Sequence, residues 1–226
     1  MSTTPGSPDP SKVPISASQV RELRDRTGAP MKDCKSALTE AKGNVDEAIV
    51  LLRKRGMALA GKKASRVTTE GSVASYIHAG GKIGVLVEVN CESDFVARTD
   101  DFKDLVKDIA MHIAASDPRF ICKEDVTPDA YEKEKYIYRA QAAQTGKPAN
   151  VIEKIIEGKM VKFYEEVCLY EQPFIKEQTI NVGQLIASRI GKLGENISVR
   201  RFARFKVGEP GMTVAVSNPK QEEKAG

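Results

Sequence analysis

Apolar positions along the chain follow two periods. From residue 14 to residue 61 they recur every three or four positions, the spacing of one face of a helix. Val20 and Leu23 mark a first short helix, opened by Ser16 or Ser18 as N-cap and closed by Gly28 at a left-handed position. After Pro30, the residues Cys34, Ala37, Leu38 and Ala41 share the face of a second helix, which Gly43 ends. Asn44 opens a third, with Glu47 at capping-box spacing and Ala48, Ile49, Leu51 and Leu52 as its apolar side. Such short helices with glycine stops predict a bundle of about 45 residues, small but able to fold.

The period then drops to two. "SVASYIH" and "KIGVLVEVN" alternate as strands do, and "AGGK" between them signals a tight turn. Val85, Val87 and Val89 share one face of the second strand. Helical spacing returns in Phe102, Val106, Ile109 and Ile113. Thr127-Pro128 offers a cap followed by proline at the first helical position, and Gly146 closes that helix before Pro148. Asn150 and Glu153 have capping-box spacing ahead of Ile152, Ile155, Ile156, Met160 and Phe163. A further helix is expected over roughly 180–190, and "ENISVRRFARFKV" reads as a strand returning to the hairpin.

The pattern predicts an α+β chain: an N-terminal three-helix domain, then a core of a small three-stranded antiparallel sheet packed with helices on one side. The organisation read from it is a disordered tail over 1–13, the helical domain over 14–61, a linker over 62–71, the α+β core over 72–208 and a flexible C-terminal tail over 209–226. Within that last tail "MTVAV" has the composition of a brief strand.

Composition narrows the function classes. Of 226 residues, 41% are hydrophobic and 29% charged, the balance of a globular protein, and the net charge of +4 is spread among both signs. A dedicated nucleic-acid binder concentrates lysine and arginine more strongly, so neither a nucleic-acid nor a membrane partner is expected. Cys34, Cys91, Cys122 and Cys168 form no CxxC pair and read as reduced thiols. The N-terminus lacks the charged and apolar regions of a signal peptide, and no apolar run reaches the ~20 residues that cross a bilayer. The expectation is a cytoplasmic protein.

Candidate chemistry is sparse. "GMALAGKK" (56–63) fits GxxxxGK, but Lys63 stands where a phosphate loop needs Ser or Thr, and the segment continues a helix rather than following a strand. His78 and His112 are 34 positions apart and have no ligand pattern around them. Cys34 sits on an apolar helix face. The basic runs "GKKASR" and Arg200, Arg201, Arg204, Lys206 are interspersed with acids; a solvated linker and the polar face of an edge strand account for them better than phosphate contact. His112 borders the Phe102–Ile113 stripe. It reads as a half-buried boundary residue, with a partner contact as the alternative. No catalytic residues, cofactor site or metal site are expected, and the chain does not read as an enzyme.

One stretch stands out. "NCESDFVART" (90–99) follows a strand and sets Asp94 beside Phe95 in polar surroundings. Ser93 or Asp94 can cap the helix that follows, and Phe95 can anchor its start to the core. The alternative is that Phe95 projects from a rigid tip into another protein, as aromatic interface anchors do.

At these residues the sequence resembles the bacterial translation elongation factor Ts family. "VRELRDRTGAPMKDCKSALTEAKGNVDEAI" is similar to that family's N-terminal domain, whose three helices are ubiquitin-associated-like. "GGKIGVLVEVNCESDFVA" is similar to its core strand and "TDFV" signature. "DIAMHIAAS", "EQPFI" and "IGKLGENISVRRFARF" match further core segments in order, so the similarity spans about residues 14 to 208. The resemblance implies a guanine nucleotide exchange factor that promotes GDP release from elongation factor Tu. It implies a wedge at Asp94 and Phe95, flanked by Ser93 and Val96, inserted near the GTPase's nucleotide pocket. It further implies contacts from Arg24 and Met31 in the N-terminal domain and from Ile83, Gly84 and His112 in the core.

Ser93 replaces the family's usual Thr, and Lys32 stands where many members carry a second Met. The core is a single copy, whereas longer members duplicate it and add a coiled-coil hairpin. Short members pair through the sheet, which leaves a homodimer through the core sheet open. Three rival readings also stand: an interaction module acting through the N-terminal helices, an RNA binder using its basic runs, and a thiol enzyme using Cys34.

Overall fold

The computed structural model describes residues 14–217; the tail expected over 1–13, and the part beyond 217 of the tail expected over 209–226, lie outside the described residues. The chain divides into two compact units. One takes in the residues up to Ala64 together with Ala187–Gly194; the other takes in Ser65–Ile186 and the residues from Glu195 onward.

The first unit is built on α1 (Ala17–Thr27), α2 (Met31–Glu40) and α3 (Val45–Lys63). Local chemistry sets their ends. The Ser16 hydroxyl accepts from the amide of Gln19, and the Gln19 side chain accepts from the amide of Ser16, a complete capping box. Gly28 closes α1 at φ 66, and Asn44 caps α3 by accepting from the amides of Asp46 and Glu47. Val20, Leu23, Cys34, Ala37, Leu38, Ala41 and Ala48 form the core, with Ile49, Leu51 and Leu52 half-buried against it.

Sequence periodicity did not place Ala187–Gly194 in this unit. That segment is the second half of α8 (Val182–Leu193) and the residue after it. A Cβ on Gly56 of α3 would lie 3.4 Å from the Ala187 carbonyl oxygen, and one on Gly191 would lie 3.6 Å from the Gly56 Cα. Two glycines thus let the helices approach closely. Lys63, the residue that spoils the phosphate-loop match, is buried and donates from Nζ to the Gly194 carbonyl. A cation there suits the negative end of α8. Helix α3 runs through Lys63, so it occupies the first two residues of the expected linker.

The second unit holds β1 (Glu70–Ile77), β2 (Ile83–Cys91), α4 (Asp94–Ala97), α5 (Asp100–Ser116), α6 (Pro128–Ala143), α7 (Ala149–Val167), β3 (Pro173–Phe174), β4 (Glu177–Asn181), the first part of α8, β5 (Ile197–Lys206) and β6 (Thr213–Val216). The sheet corrects the three-stranded expectation. Among the described residues it has four strands in the order β1-β2-β5-β6, antiparallel throughout, and β3 pairs with β4 as a separate ribbon. Strand β6 is four residues long and falls in the segment read as a tail, too short for alternation to mark it.

Helix α5 packs on β1 and β2, over the buried Val85, Val87 and Val89. Gly71, at φ 145, is required where β1 crosses β2: a Cβ there would sit 2.2 Å from the Val89 carbonyl oxygen. The opposite sheet face leaves Val73, Ile77, Leu86, Phe205, Val214 and Val216 exposed.

Strand β5 is internal, not an edge, which corrects the reading of its arginines. The register with β2 slips between Glu88 and Val89, so Arg201 faces Glu88 while Val199 faces Val89. Arg200 is the extra residue of this bulge, and the inward parity changes after it. Ile197 and Val199 point in before the bulge; Phe202 and Arg204 point in after it. Arg204 is buried and donates to the Ala114 carbonyl at 3.3 Å. It also pairs with Asp117 at 3.2 Å and Glu209 at 3.4 Å, a cation at the C-terminal end of α5. Arg201 pairs with Glu88 at 2.6 Å.

The α6–α7 hairpin starts as expected at Thr127, whose hydroxyl accepts from the Ala130 amide. Helix α7 starts one residue before Asn150, behind Pro148, and has no side-chain cap; the Asn150 capping box does not form.

Candidate partner-binding site

Helix α4 is a single turn, Asp94–Ala97, at the exit of β2. Ser93 is its N-cap, extended at φ −132 and ψ 155, with its hydroxyl accepting from the Val96 amide at 3.4 Å. The next two side chains part company. Val96 turns inward and is 9% exposed; Phe95 turns outward and is 78% exposed. The anchoring role that the sequence allowed for Phe95 therefore falls to Val96, which the resemblance had grouped with the wedge. Asp94 does not cap the turn. Its carboxylate pairs with Arg98 one turn on, at 2.7 Å, with both side chains well solvated.

The base under Phe95 is densely bonded. The Glu195 carboxylate accepts from the Ser93 amide at 3.0 Å, the Ser93 hydroxyl at 2.5 Å and the Glu92 amide at 3.2 Å. The Cys91 thiol donates to the Ser93 carbonyl at 3.2 Å. The Glu92 carboxylate accepts from the Asn196 amide at 2.6 Å and pairs with Arg66 at 3.3 Å. Sequence reasoning did not single out Glu92 or Glu195: they lie on the two sides of a strand pairing made by residues about a hundred positions apart, and nothing local marks them.

His112 lies near the C-terminal end of α5, 0% exposed, which places it deeper than the half-buried boundary position expected. Its spacing explains this: with Leu105, two turns earlier, it forms a second inward row beside the Phe102–Ile113 stripe. His112 Nε2 lies 3.0 Å from Gln172 Oε1, and its Nδ1 accepts from the Ile175 amide at 3.4 Å. These contacts fit the neutral imidazole with the proton on Nε2, and burial holds its pKa below the usual histidine value.

Ile83 and Gly84 open β2, partly exposed, and α4 follows its other end, about 25 Å away at strand rise. Gly84 lies on the outward face between Ile77 and Phe205. In the first unit, Arg24 is exposed on α1, and Met31, the first residue of α2, is 43% exposed.

The cysteines do not make a thiol centre. Cys34 is buried, donates to the Ala29 carbonyl at 3.4 Å, and burial raises its pKa. Burial likewise pushes Cys91 up to about 11 and Cys168 up to about 12, so these thiols stay protonated near neutrality. Among the described residues no group of three or more His, Cys, Asp or Glu is placed to hold a metal ion, and no helix is long and apolar enough to cross a membrane.

Comparison with known proteins agrees over most of the described residues. The family model described as Elongation factor TS matches residues 14–209. The protein named Elongation factor Ts from Koribacter versatilis is 75% identical over 211 residues, covering 93% of this chain and 96% of its own length. The proteins of the same name from Solibacter usitatus and Carboxydothermus hydrogenoformans are 66% and 57% identical, each over 195 residues and 86% of this chain, covering 92% and 90% of their own lengths. The exposed Asp94-Phe95 pair therefore sits in a chain that belongs to the elongation factor Ts family.

Proposed function

We propose that this chain is a guanine nucleotide exchange factor of translation elongation, which binds GDP-loaded elongation factor Tu in the cytoplasm and promotes GDP release. The observation that carries the reading is Phe95: a large aromatic, 78% exposed, on a turn whose preceding residue is bonded through its amide, hydroxyl and carbonyl. An aromatic left in water by its own fold and held rigidly is suited to fill a pocket in a partner.

The mechanism is linkage. The factor and GDP each bind the GTPase, and the factor stabilises a form that holds GDP less well. The coupling is reciprocal, so GDP weakens the factor by the same ratio. The ring of Phe95 supplies the differential contact, entering the GTPase and displacing packed groups near its phosphate site, which respond by switching rather than by continuous deformation. No bond is made or broken, so the activity needs no acid, base, nucleophile, metal or cofactor from this chain, and neither nucleic acid nor membrane takes part.

Arg24 and Met31 of the first unit, and Ile83 and Gly84 of β2, supply further contacts with the same partner. His112, being enclosed, contributes by holding the β3 segment from Gln172 to Ile175 in place. The apolar outer face of the sheet supports self-association of this single-core chain through Val73, Ile77, Leu86, Phe205, Val214 and Val216. Sedimentation equilibrium tests that part: a dimer that Leu86→Lys dissociates is expected, and a monomer at all concentrations removes it.

The test of the function is release of a fluorescent GDP analogue from elongation factor Tu, chased with excess unlabelled GDP at fixed magnesium. Addition of the chain in catalytic amount is expected to accelerate release severalfold or more. An unchanged release rate at saturating chain refutes the reading.

A further inference from the structure

We propose that Glu195 is a positioning residue for the Phe95 wedge, acting through Ser93; this rests on the exchange reading above. The argument starts where the β2–β5 ladder stops. Cys91 and Ile197 are the last register partners, and beyond them the two chains diverge. Two carboxylates take over the pairing. Glu92 reaches across to accept from the Asn196 amide at 2.6 Å, and Glu195 reaches back to accept from the amides of Glu92 at 3.2 Å and Ser93 at 3.0 Å. Each chain thus satisfies the other's first free amides, and the sheet continues by side chains for one more step.

The consequence falls on Ser93. Its amide and hydroxyl donate to Glu195, its carbonyl accepts from the Cys91 thiol and the Ala97 amide, and its hydroxyl also accepts from Val96. Every polar atom of the residue at the foot of α4 is therefore engaged within the chain. A four-residue helix cannot hold itself in place, since one turn does not repay its own nucleation. The direction of Phe95 is fixed by this clasp and by Val96, not by any packing of the ring. Charge-assisted bonds to a carboxylate are the strong form of such a support, and a side chain held beforehand loses less freedom when it binds.

Chemistry predicts a graded series. Glu195→Ala removes all three acceptor bonds. Glu195→Gln keeps one oxygen for the two amides and presents an NH2 to the Ser93 hydroxyl, which can reverse its role only by giving up its donor bond. The test combines two readouts. The first is amide hydrogen exchange of the chain alone, expected to quicken over residues 92–97 in Glu195→Ala and to stay unchanged in α5. The second is GDP release from elongation factor Tu with wild type, Phe95→Ala, Glu195→Ala, Glu195→Gln and the Phe95→Ala/Glu195→Ala double variant.

Loss of supporting geometry predicts about a tenfold drop in stimulated release for Glu195→Ala and a smaller drop for Glu195→Gln. In the Phe95→Ala background the Glu195→Ala drop should vanish, because a misaimed wedge matters only while the wedge exists. A residue that merely stabilises the fold would lower release by the same factor in both backgrounds, and that outcome overturns the proposal. So does a Glu195→Ala chain that releases GDP as well as wild type while Phe95→Ala does not. Release unaffected by Phe95→Ala is a separate failure: it removes the wedge reading itself, and the role of Glu195 goes with it.

Discussion

Helices α4 and α5 are neighbours in the chain, separated by Arg98 and Thr99, yet they solve opposite problems. Helix α5 has seventeen residues and buries Phe102, Leu105, Val106, Ile109, Ala110, His112, Ile113 and Ala114; even its polar His112 is enclosed and hydrogen-bonded. Helix α4 has four residues, buries only Val96 and holds Phe95 out in water. Both are capped by a hydroxyl, Ser93 for α4 and Thr99 for α5, so the difference is not in how they begin. It lies in what holds them afterwards. Helix α5 is held by its own apolar faces; α4 is held from behind by Glu195. On the proposed reading Phe95 serves another molecule, so its ring is not held by packing within this chain, and the support comes from the bonded residue behind it.

That contrast can be broken most strongly in α5. Phe102 is fully buried, so Phe102→Ala should destabilise the second unit by about 4 kcal/mol in urea unfolding. A cost below 1 kcal/mol would mean that α5 is not the packed element described. In α4 two adjacent substitutions should diverge. Val96→Ala is expected to cost about 1.5 kcal/mol of stability, and Phe95→Ala less than about 0.5 kcal/mol, since an exposed ring has little packing to lose. Equal costs would place Phe95 in the core.

Protonation sharpens the contrast further. The pKa of His112 is lowered in the folded chain, so the unfolded chain binds the proton first as pH falls. Its contribution to stability is complete above the unfolded value near 6.5 and is lost as pH falls from there toward the folded value, with a slope of at most about 1.4 kcal/mol per pH unit. Melting curves between pH 7.5 and 5 should show the loss in wild type and a flatter profile in His112→Gln; parallel profiles would contradict it. The smallest effect belongs to the solvated Asp94–Arg98 pair, where Arg98→Ala should change stability by only about 0.3–0.5 kcal/mol. A thermal shift equal to that of Val96→Ala would show the pair to be structural.

Features fixed by adjacent residues were legible in the sequence. Ser16, one of the two caps the sequence offered, Gly28, Asn44 and Thr127-Pro128 act where they stand, whereas the equally local Asn150 box gives way to a start behind Pro148. The hairpin valines were legible for the same reason: alternation over nine residues leaves little choice of face. Features set by distant pairing were not. The inward turn of Arg204 follows from a bulge at Arg200 that exists only against β2. Strands β3 and β6 are too short to show alternation, and Gly56 meets Gly191 across 135 positions of sequence.

The site was legible in part. The resemblance pointed to Asp94 and Phe95, while composition left Phe95 between anchor and probe. Exposure separates the two roles and gives the anchor to Val96. Glu195 carries no local signal at all, because its partners are brought to it by the β2–β5 register.

The central claim, that Phe95 is the group that loosens GDP, has a direct measurement. Release of a fluorescent GDP analogue from elongation factor Tu is followed by stopped flow with saturating wild-type chain and with Phe95→Ala, after both are shown to melt alike. The account predicts that the variant loses about a hundredfold of the stimulated rate, the size expected for a central aromatic anchor. A variant that melts like wild type and releases GDP just as fast would contradict it.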